Sequence, residues 1–323
     1  MYSNLLQYLH ANNICYETNV SLKKKTWIHR GGMCDVYISP VNRKELIGVV
    51  RQLYHQKYDF LVIGHSSNIY ILNSCNVSVI VSTKKCSNYE IKDGHIYCDA
   101  GVGVIRLAKD MTKHGIAGFE YLTDLPGTVA AAIYNNASCK KNSISQLLVC
   151  ADVILPDGRQ ITLLPDDFGF VYRGSCMKRK ELRGVIVGLI LKAEPGNALQ
   201  LQNISSSNIA ERRLLLESYA KTLGSTMNNC FSKGRMPLHY YLAYRFYNLW
   251  LKLNKNNETQ RRIKCKDFIC KISGYADIAR YVSNEDIIIF IWKDEKADAA
   301  FPRYLEFMDK VYRTQDLEIE VLK

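Results

Sequence analysis

The chain has 323 residues, 47% of them hydrophobic, with a formal charge of +12. That length can bury one large core or two to three smaller ones, and no apolar run approaches the roughly 18 residues of a membrane helix. The opening Met1-Tyr2-Ser3-Asn4-Leu5-Leu6 lacks the basic and apolar regions of a secretory signal, so a soluble, cytoplasmic protein with no membrane partner is expected. Eleven cysteines, an odd number spread without a disulfide-like framework, read as reduced and mostly buried. Cys265 and Cys270 are not joined by a second pair, so no metal is expected. The positive charge favours anionic partners. Apart from Lys23-Lys24-Lys25 and Lys178-Arg179-Lys180 the basic residues are dispersed, and no nucleic-acid motif frames them. Nucleic acid, nucleotide cofactors and nucleotide sugars are all anions that could use this charge, and for most of the basic residues a solvated surface is the reading preferred; no nucleic-acid partner is expected.

In chain order, Val36-Tyr37-Ile38 reads as a strand. After the Pro40 break comes a helix with Leu46, Val49, Val50 and Leu53 on one face. Phe60-Leu61-Val62-Ile63 is a buried strand running into a turn at Gly64, and residues 77–81 form another strand. Two hairpins turn at Asp93-Gly94 and Asp157-Gly158, dipeptides that accept positive φ. Between them lie a helix over residues 104–114 and a second opening after Pro126-Gly127. Residues 185–191 alternate as a strand, and Glu194-Pro195-Gly196-Asn197 breaks the pattern, the expected domain boundary. Beyond it the sequence predicts a helix over 208–221, an irregular polar-aromatic stretch over 233–266, a strand over 287–291, a helix over 299–313 and a closing strand over 317–322. The fold class is α+β.

Two turns suit a phosphate. Gly64-His65-Ser66-Ser67-Asn68 ends a strand with backbone N–H groups and short hydroxyls. Pro126-Gly127-Thr128 precedes small residues at a helix start, with Asn136 a few residues on. Three later runs each end an element with a different group: Tyr172-Arg173-Gly174-Ser175 a guanidinium, Gly224-Ser225 a hydroxyl, and Leu317-Glu318-Ile319-Glu320-Val321 a carboxylate.

In these runs the chain resembles the UDP-N-acetylenolpyruvoylglucosamine reductase family. Its G-x-G-S-N turn is matched by Gly64, Ser66, Ser67 and Asn68, with a serine for one glycine. Its G-x-E-x-L-x-x-I-P-G-T-V-G-G-A run and following N-A-G are matched by Gly118, Glu120, Leu122, Pro126, Gly127, Thr128, Val129, Ala132, Asn136 and Ala137. Thr26, Gly31 and Gly32 match an earlier T-x-x-x-x-G-G. Departures are Ala130-Ala131 for paired glycines, Ser138 for a glycine, and Asn228, Cys230 and Leu322 where the family has lysine, proline and a basic residue. The resemblance runs from about residue 21 to 321, with 233–266 unmatched.

The resemblance implies a two-lobed FAD-binding domain of the PCMH type over 21–195, with lobes of about 21–83 and 84–195, then a smaller α+β substrate-binding domain over 205–323. It implies non-covalent FAD held by Gly64, His65, Ser66, Ser67, Asn68, Pro126, Gly127, Thr128 and Asn136, with NADPH as hydride donor. By the same resemblance Arg173, Ser225 and Glu320 are catalytic, as charge stabiliser, proton donor and polarising carboxylate. Tyr172 and Asn229 contact a nucleotide-sugar substrate, and a covering tyrosine is sought among Tyr240, Tyr241 and Tyr244. The activity implied is reduction of an enolpyruvyl ether in peptidoglycan precursor synthesis. The departures keep two alternatives open: a same-fold flavin oxidoreductase acting on another nucleotide sugar or alcohol, and a non-catalytic flavin or nucleotide-sugar binding protein.

Overall fold

The computed structural model describes residues 2–139, 141–215, 221–228 and 236–322. They form two compact units. The first takes residues up to 26, 31–67 and 74–210; the second takes 27–30, 68–73 and the chain from 211 onward.

The first unit contains two sheets. In one, Tyr16–Ser21 pairs antiparallel with Met33–Ile38, which runs parallel to Asn76–Ser82, itself parallel to Phe60–Ile63. The helix Arg43–His55 starts where Asn42 Oδ1 accepts the Glu45 N–H at 2.9 Å, which satisfies an orphan donor of the first turn. It buries Leu46, Val49, Val50 and Leu53, the face expected from the sequence. Each of those side chains contributes about 2 kcal/mol of burial. Val36, Ile38, Val79 and Val81 belong to the same core, as do Leu5 and Leu9 of a helix, Ser3–Ala11, that the sequence reading did not assign.

The other sheet is antiparallel throughout, in the order Gln160–Leu163, Leu148–Ile154, Val185–Lys192, His95–Asp99, Tyr89–Lys92. Asp93 and Gly94 have φ of 50° and 72°, the geometry whose twist matches a two-residue hairpin. Helices over Val104–Lys113 and Val129–Tyr134 stand where they were expected. The helix expected over 208–221 instead spans Ala198–Leu215. Asn197 Oδ1 accepts the Gln200 N–H at 3.0 Å, so the residues read as a break supply the cap.

The second unit corrects the reading of 233–266 as irregular. Two helices, Leu238–Leu253 and Glu258–Ile272, occupy its described part. The second opens on a reciprocal cap between Asn257 and Gln260. The core is aromatic: Phe290 lies 4.9 Å from Trp292, 5.2 Å from Phe301 and 5.1 Å from Tyr304 between ring centroids. Thr222–Ser225 pairs antiparallel with Ile289–Ile291, and Glu320–Leu322 runs parallel to Ile69–Ile71.

One polar knot secures that core. Asp298, in the first turn of the helix Ala297–Tyr312, accepts from the Tyr70 hydroxyl at 2.8 Å and from the Asn73 amide. It also faces Arg30 Nε at 3.6 Å, and Arg30 is buried. Asp298→Ala is expected to lower the unfolding free energy by about 3 kcal/mol, because a largely buried cation and a buried phenol lose their shared acceptor. Urea unfolding followed by tryptophan fluorescence checks it.

Candidate active site

In the first unit three glycine turns clasp one another. The hydroxyl of Ser67 donates to the Pro126 carbonyl at 3.0 Å, joining the Gly64 turn to the Pro126-Gly127 turn. A Cβ on Gly64 would stand 2.4 Å from Thr128 Oγ1 and 2.8 Å from Thr128 Cγ2. The residue must therefore be glycine for this approach. Gly127 sits at φ 139°, which side-chain-bearing residues rarely adopt. The third turn, Gly101-Val102-Gly103, was not singled out from sequence. Gly103 bridges Thr128, and Val129 donates to the Val102 carbonyl at 2.9 Å. Its signal was a glycine just past the end of a strand, as at Gly64.

The helix after Thr128 does not offer its first N–H groups to an anion. Val129, Ala130 and Ala131 donate to Val102 O, Ala100 O and Thr128 Oγ1 respectively. The groups that suit a dinucleotide lie elsewhere in the clasp. Thr128, as an acceptor, keeps its own hydroxyl proton to donate. The Asn136 Oδ1 is buried with no hydrogen-bond partner among the described residues, and its Nδ2 donates to the Val171 carbonyl at 2.8 Å. A bonded amide nitrogen beside an unused buried oxygen suits a polar ring edge. Close backbone packing, a spare hydroxyl and an orphaned amide oxygen fit FAD.

Charge in this region is also set by burial. Half-buried His65 has its pKa held below the ordinary 6.5, first by burial and then by the charge of Lys84. Lys84, whose ammonium donates to the Lys25 carbonyl at 2.8 Å, is itself lowered by burial and by Lys25. Nothing in the sequence distinguished Lys84 from a solvated Lys84-Lys85 pair. Because the folded state disfavours protonated His65, its contribution to stability is complete above pH 6.5. It is lost as pH falls from there through the lower folded value, while the unfolded chain takes up the proton. His65→Gln is therefore expected to flatten the loss of denaturation midpoint between neutral and mildly acidic pH, and the wild-type imidazole resonance should titrate below 6.5.

The Arg173 turn is fixed to the same unit. Val171 and Gly174 exchange backbone hydrogen bonds at 3.0 and 3.1 Å, leaving Tyr172 and Arg173 as the central residues. Arg173 has φ 58°, a position that glycine usually fills. Holding a non-glycine residue there costs on the order of 1 kcal/mol, and such strain clusters at functional sites. Asn136 holds the turn through Val171, and buried Ser175 holds it through the Tyr134 carbonyl at 2.7 Å. The Arg173 guanidinium carbon lies 5.7 Å from the centre of the exposed Tyr172 ring. The loop that presents the cation is thus bolted to the segment that carries Asn136.

Ser225, Glu320 and Asn68 belong to the second unit. Gly224 has φ 79°, and the Thr222–Ser225 strand slips register against Ile289–Ile291, an irregularity of the kind that re-aims a side chain. Past Ser225 the chain lies beside the C-terminal segment. Met227 bridges Leu317, and Glu318 donates to the Thr226 carbonyl at 2.9 Å. Asn68 ties in the next residues, with its Nδ2 on the Glu318 carbonyl at 3.2 Å and its own carbonyl accepting from Glu320 N at 2.9 Å. Ser225 and Glu320 are both half-buried. Asp286, which the sequence reading passed over, accepts from Ile288 N at 3.2 Å just before the strand that pairs with Ser225, and burial raises its pKa. Asn228 donates to Asp316 Oδ1 at 3.0 Å. Asn229 lies outside the described residues.

Residues 34–164 match the family model described as an FAD binding domain. The UDP-N-acetylenolpyruvoylglucosamine reductase of Nostoc sp. is 25% identical over 247 residues, 76% of this chain and 72% of the relative. That of Halalkalibacterium halodurans is 28% identical over 65% of this chain and 70% of the relative. That of Streptococcus uberis is 27% identical over 57% and 60%. Across the relatives compared, the match spans from 59% to 74% of their length. The fold is similar to the crystal structure of UDP-N-acetylenolpyruvylglucosamine reductase from Thermus caldophilus, with a TM-score of 0.68 and 17% identity over 96% of this chain and all of that one. The chain therefore carries an FAD-binding domain over residues 34–164 and is similar over most of its length to UDP-N-acetylenolpyruvoylglucosamine reductases.

Proposed function

We propose that the chain is an NADPH-dependent flavoprotein reductase that converts the enolpyruvyl ether of UDP-N-acetylglucosamine-enolpyruvate to the lactyl ether of UDP-N-acetylmuramate, a step in peptidoglycan precursor synthesis. The first unit is the flavin-binding part and the second the substrate-binding part. The observation that carries this reading is the Asn136 link between the glycine clasp and the strained Arg173 turn. It joins a dinucleotide cradle to a cation in one packed body. The names of the relatives support the substrate class.

FAD, when bound, carries the hydride from NADPH to the substrate. Hydride addition at C3 of the enolpyruvyl ether leaves an electron pair on C2, delocalised into the carboxylate, and a proton must then reach C2. One NADPH and one proton are consumed. Arg173 is the fixed cation for the developing charge, already oriented by its turn. Ser225 donates the proton to C2 and recovers one from solvent or a neighbouring acid. A serine hydroxyl is a weak acid, so it requires a polar partner, and Glu320 fills that role from the same unit. Tyr172 and Asn229 are assigned to the substrate.

A second reading, in which the same chemistry acts on a different nucleotide sugar, is favoured by Asn228. Its amide is engaged with Asp316, so no cation stands at this position, where the family has lysine. The test is an anaerobic titration of the FAD-loaded protein. NADPH should bleach the visible flavin absorbance, and the enolpyruvyl nucleotide sugar should restore it with formation of the lactyl product. A bleached protein that only another nucleotide sugar reoxidises would favour the second reading. A protein that takes up no flavin would overturn both.

A further inference from the structure

The helix Leu238–Leu253 is apolar on both sides. Its inner side buries Tyr240 and Leu251 and stacks Tyr247 on Phe268 at 4.2 Å. On the opposite side Leu238, Leu242, Phe246, Leu249 and Leu253 recur at helical spacing and are exposed, with Leu238, Phe246 and Leu253 at 70%, 69% and 74%. The stripe is about 22 Å long at 1.5 Å per residue. A helix that is apolar all round is normally covered on all sides, and an exposed patch of this kind marks a contact surface.

Charge selects what covers it. The helix contains no acidic residue, and Arg245 and Lys252, seven residues apart, flank the stripe along one edge. Between residues 218 and 257 the sequence has six basic residues, Lys221, Lys233, Arg235, Arg245, Lys252 and Lys255, and no acidic one. That is half of the chain's net +12 within one eighth of its sequence, and of these residues Arg245 and Lys252 lie on the exposed apolar helix itself. A second copy docked on this stripe would bring like charges together. An anionic surface would neutralise them. Trp250, 56% exposed beside the stripe, suits the boundary between headgroups and acyl chains.

We propose that the outer face of this helix seats the protein on a bilayer containing anionic lipid, lying in the interface with Leu238, Phe246 and Leu253 in the acyl region and Arg245 and Lys252 at the headgroups. Among the described residues no helix is long and apolar enough to cross a membrane, so the contact is peripheral. It revises the expectation of no membrane partner and is independent of the reaction assigned above.

The test is flotation of the whole protein with vesicles of phosphatidylcholine alone or mixed with phosphatidylglycerol. The protein should float with the mixed vesicles, and less as salt is raised. Phe246→Ser with Leu249→Ser should abolish flotation. Arg245→Gln with Lys252→Gln should weaken binding to mixed vesicles roughly thirtyfold, from the usual strength of a basic residue near an anionic surface. Trp250 emission should shift to the blue with mixed vesicles, and Trp250→Phe should remove the shift. That reading on otherwise native protein does not depend on whether the serine variant folds. Wild-type protein that stays with the buffer, a Trp250 spectrum unmoved by lipid, or a concentration-dependent dimer that the serine variant dissociates would overturn the proposal.

Discussion

Gly64→Ala is expected to yield a protein that retains little flavin and unfolds at lower denaturant than the wild type. The added methyl would sit 2.4 Å from Thr128 Oγ1 and 3.1 Å from Thr128 Cβ. Thr128 cannot step aside. It is 1% exposed, its hydroxyl caps the helix Val129–Tyr134, and its carbonyl accepts the Ala132 N–H at 2.8 Å. The turn must move instead, at about 1–3 kcal/mol for an overpacked site, and the Ser67 bond to Pro126 goes with it. Visible absorbance per protein after loading with FAD reports the cradle, and chemical unfolding reports the strain. Thr128→Ala alone should cost about 1 kcal/mol for the lost cap. Added to Gly64→Ala it should cost less than the two changes summed, because it removes the atoms being struck. Full flavin occupancy in Gly64→Ala would show that the clasp does not hold the cofactor.

The second large effect is chemical. In Ser225→Ala, NADPH should bleach bound flavin at the wild-type rate, while reoxidation by the enolpyruvyl substrate slows about 10²–10⁴-fold, the usual worth of a positioned proton donor. Stability should scarcely change, since Ser225 is half-buried and its strand pairs through the backbone. Stopped-flow absorbance separates the two half-reactions. Equal loss in both would assign the serine to the flavin environment and not to protonation of C2.

Much of the first unit was legible because its signals are local. The Asp93-Gly94 hairpin needs only two residues that accept positive φ, and the strand ending at Gly64 is a short apolar run closed by a glycine. The second unit was less so. Between Leu238 and Leu253 apolar side chains occupy both sides of the helix, which blurs the periodicity that would have marked it. The helix from Ala198 mixes leucines with glutamines, asparagine and serines in its first turns, and its clearest local signal was the Asn197 cap. Of the site, residue types and order could be read, but the Ser67–Pro126 and Asn136–Val171 bonds could not. They join segments 59 and 35 residues apart. His65 and Lys84 likewise owe their shifted protonation to burial, which a sequence does not display.

Residues 27–30 and 68–73 fold with a unit whose remainder begins at 211. Asn68 meets Glu318 across 250 positions of chain. As the polypeptide leaves the ribosome, the strand Ile69–Ile71 must wait for its parallel partner until Glu320–Leu322 has been made. Such distant closure is slow and leaves Tyr70, a buried member of the aromatic core, without its neighbours throughout synthesis. Nascent-chain handling, more than final stability, is then where this architecture is most vulnerable, and a fragment starting near residue 205 would lack a strand of its own fold.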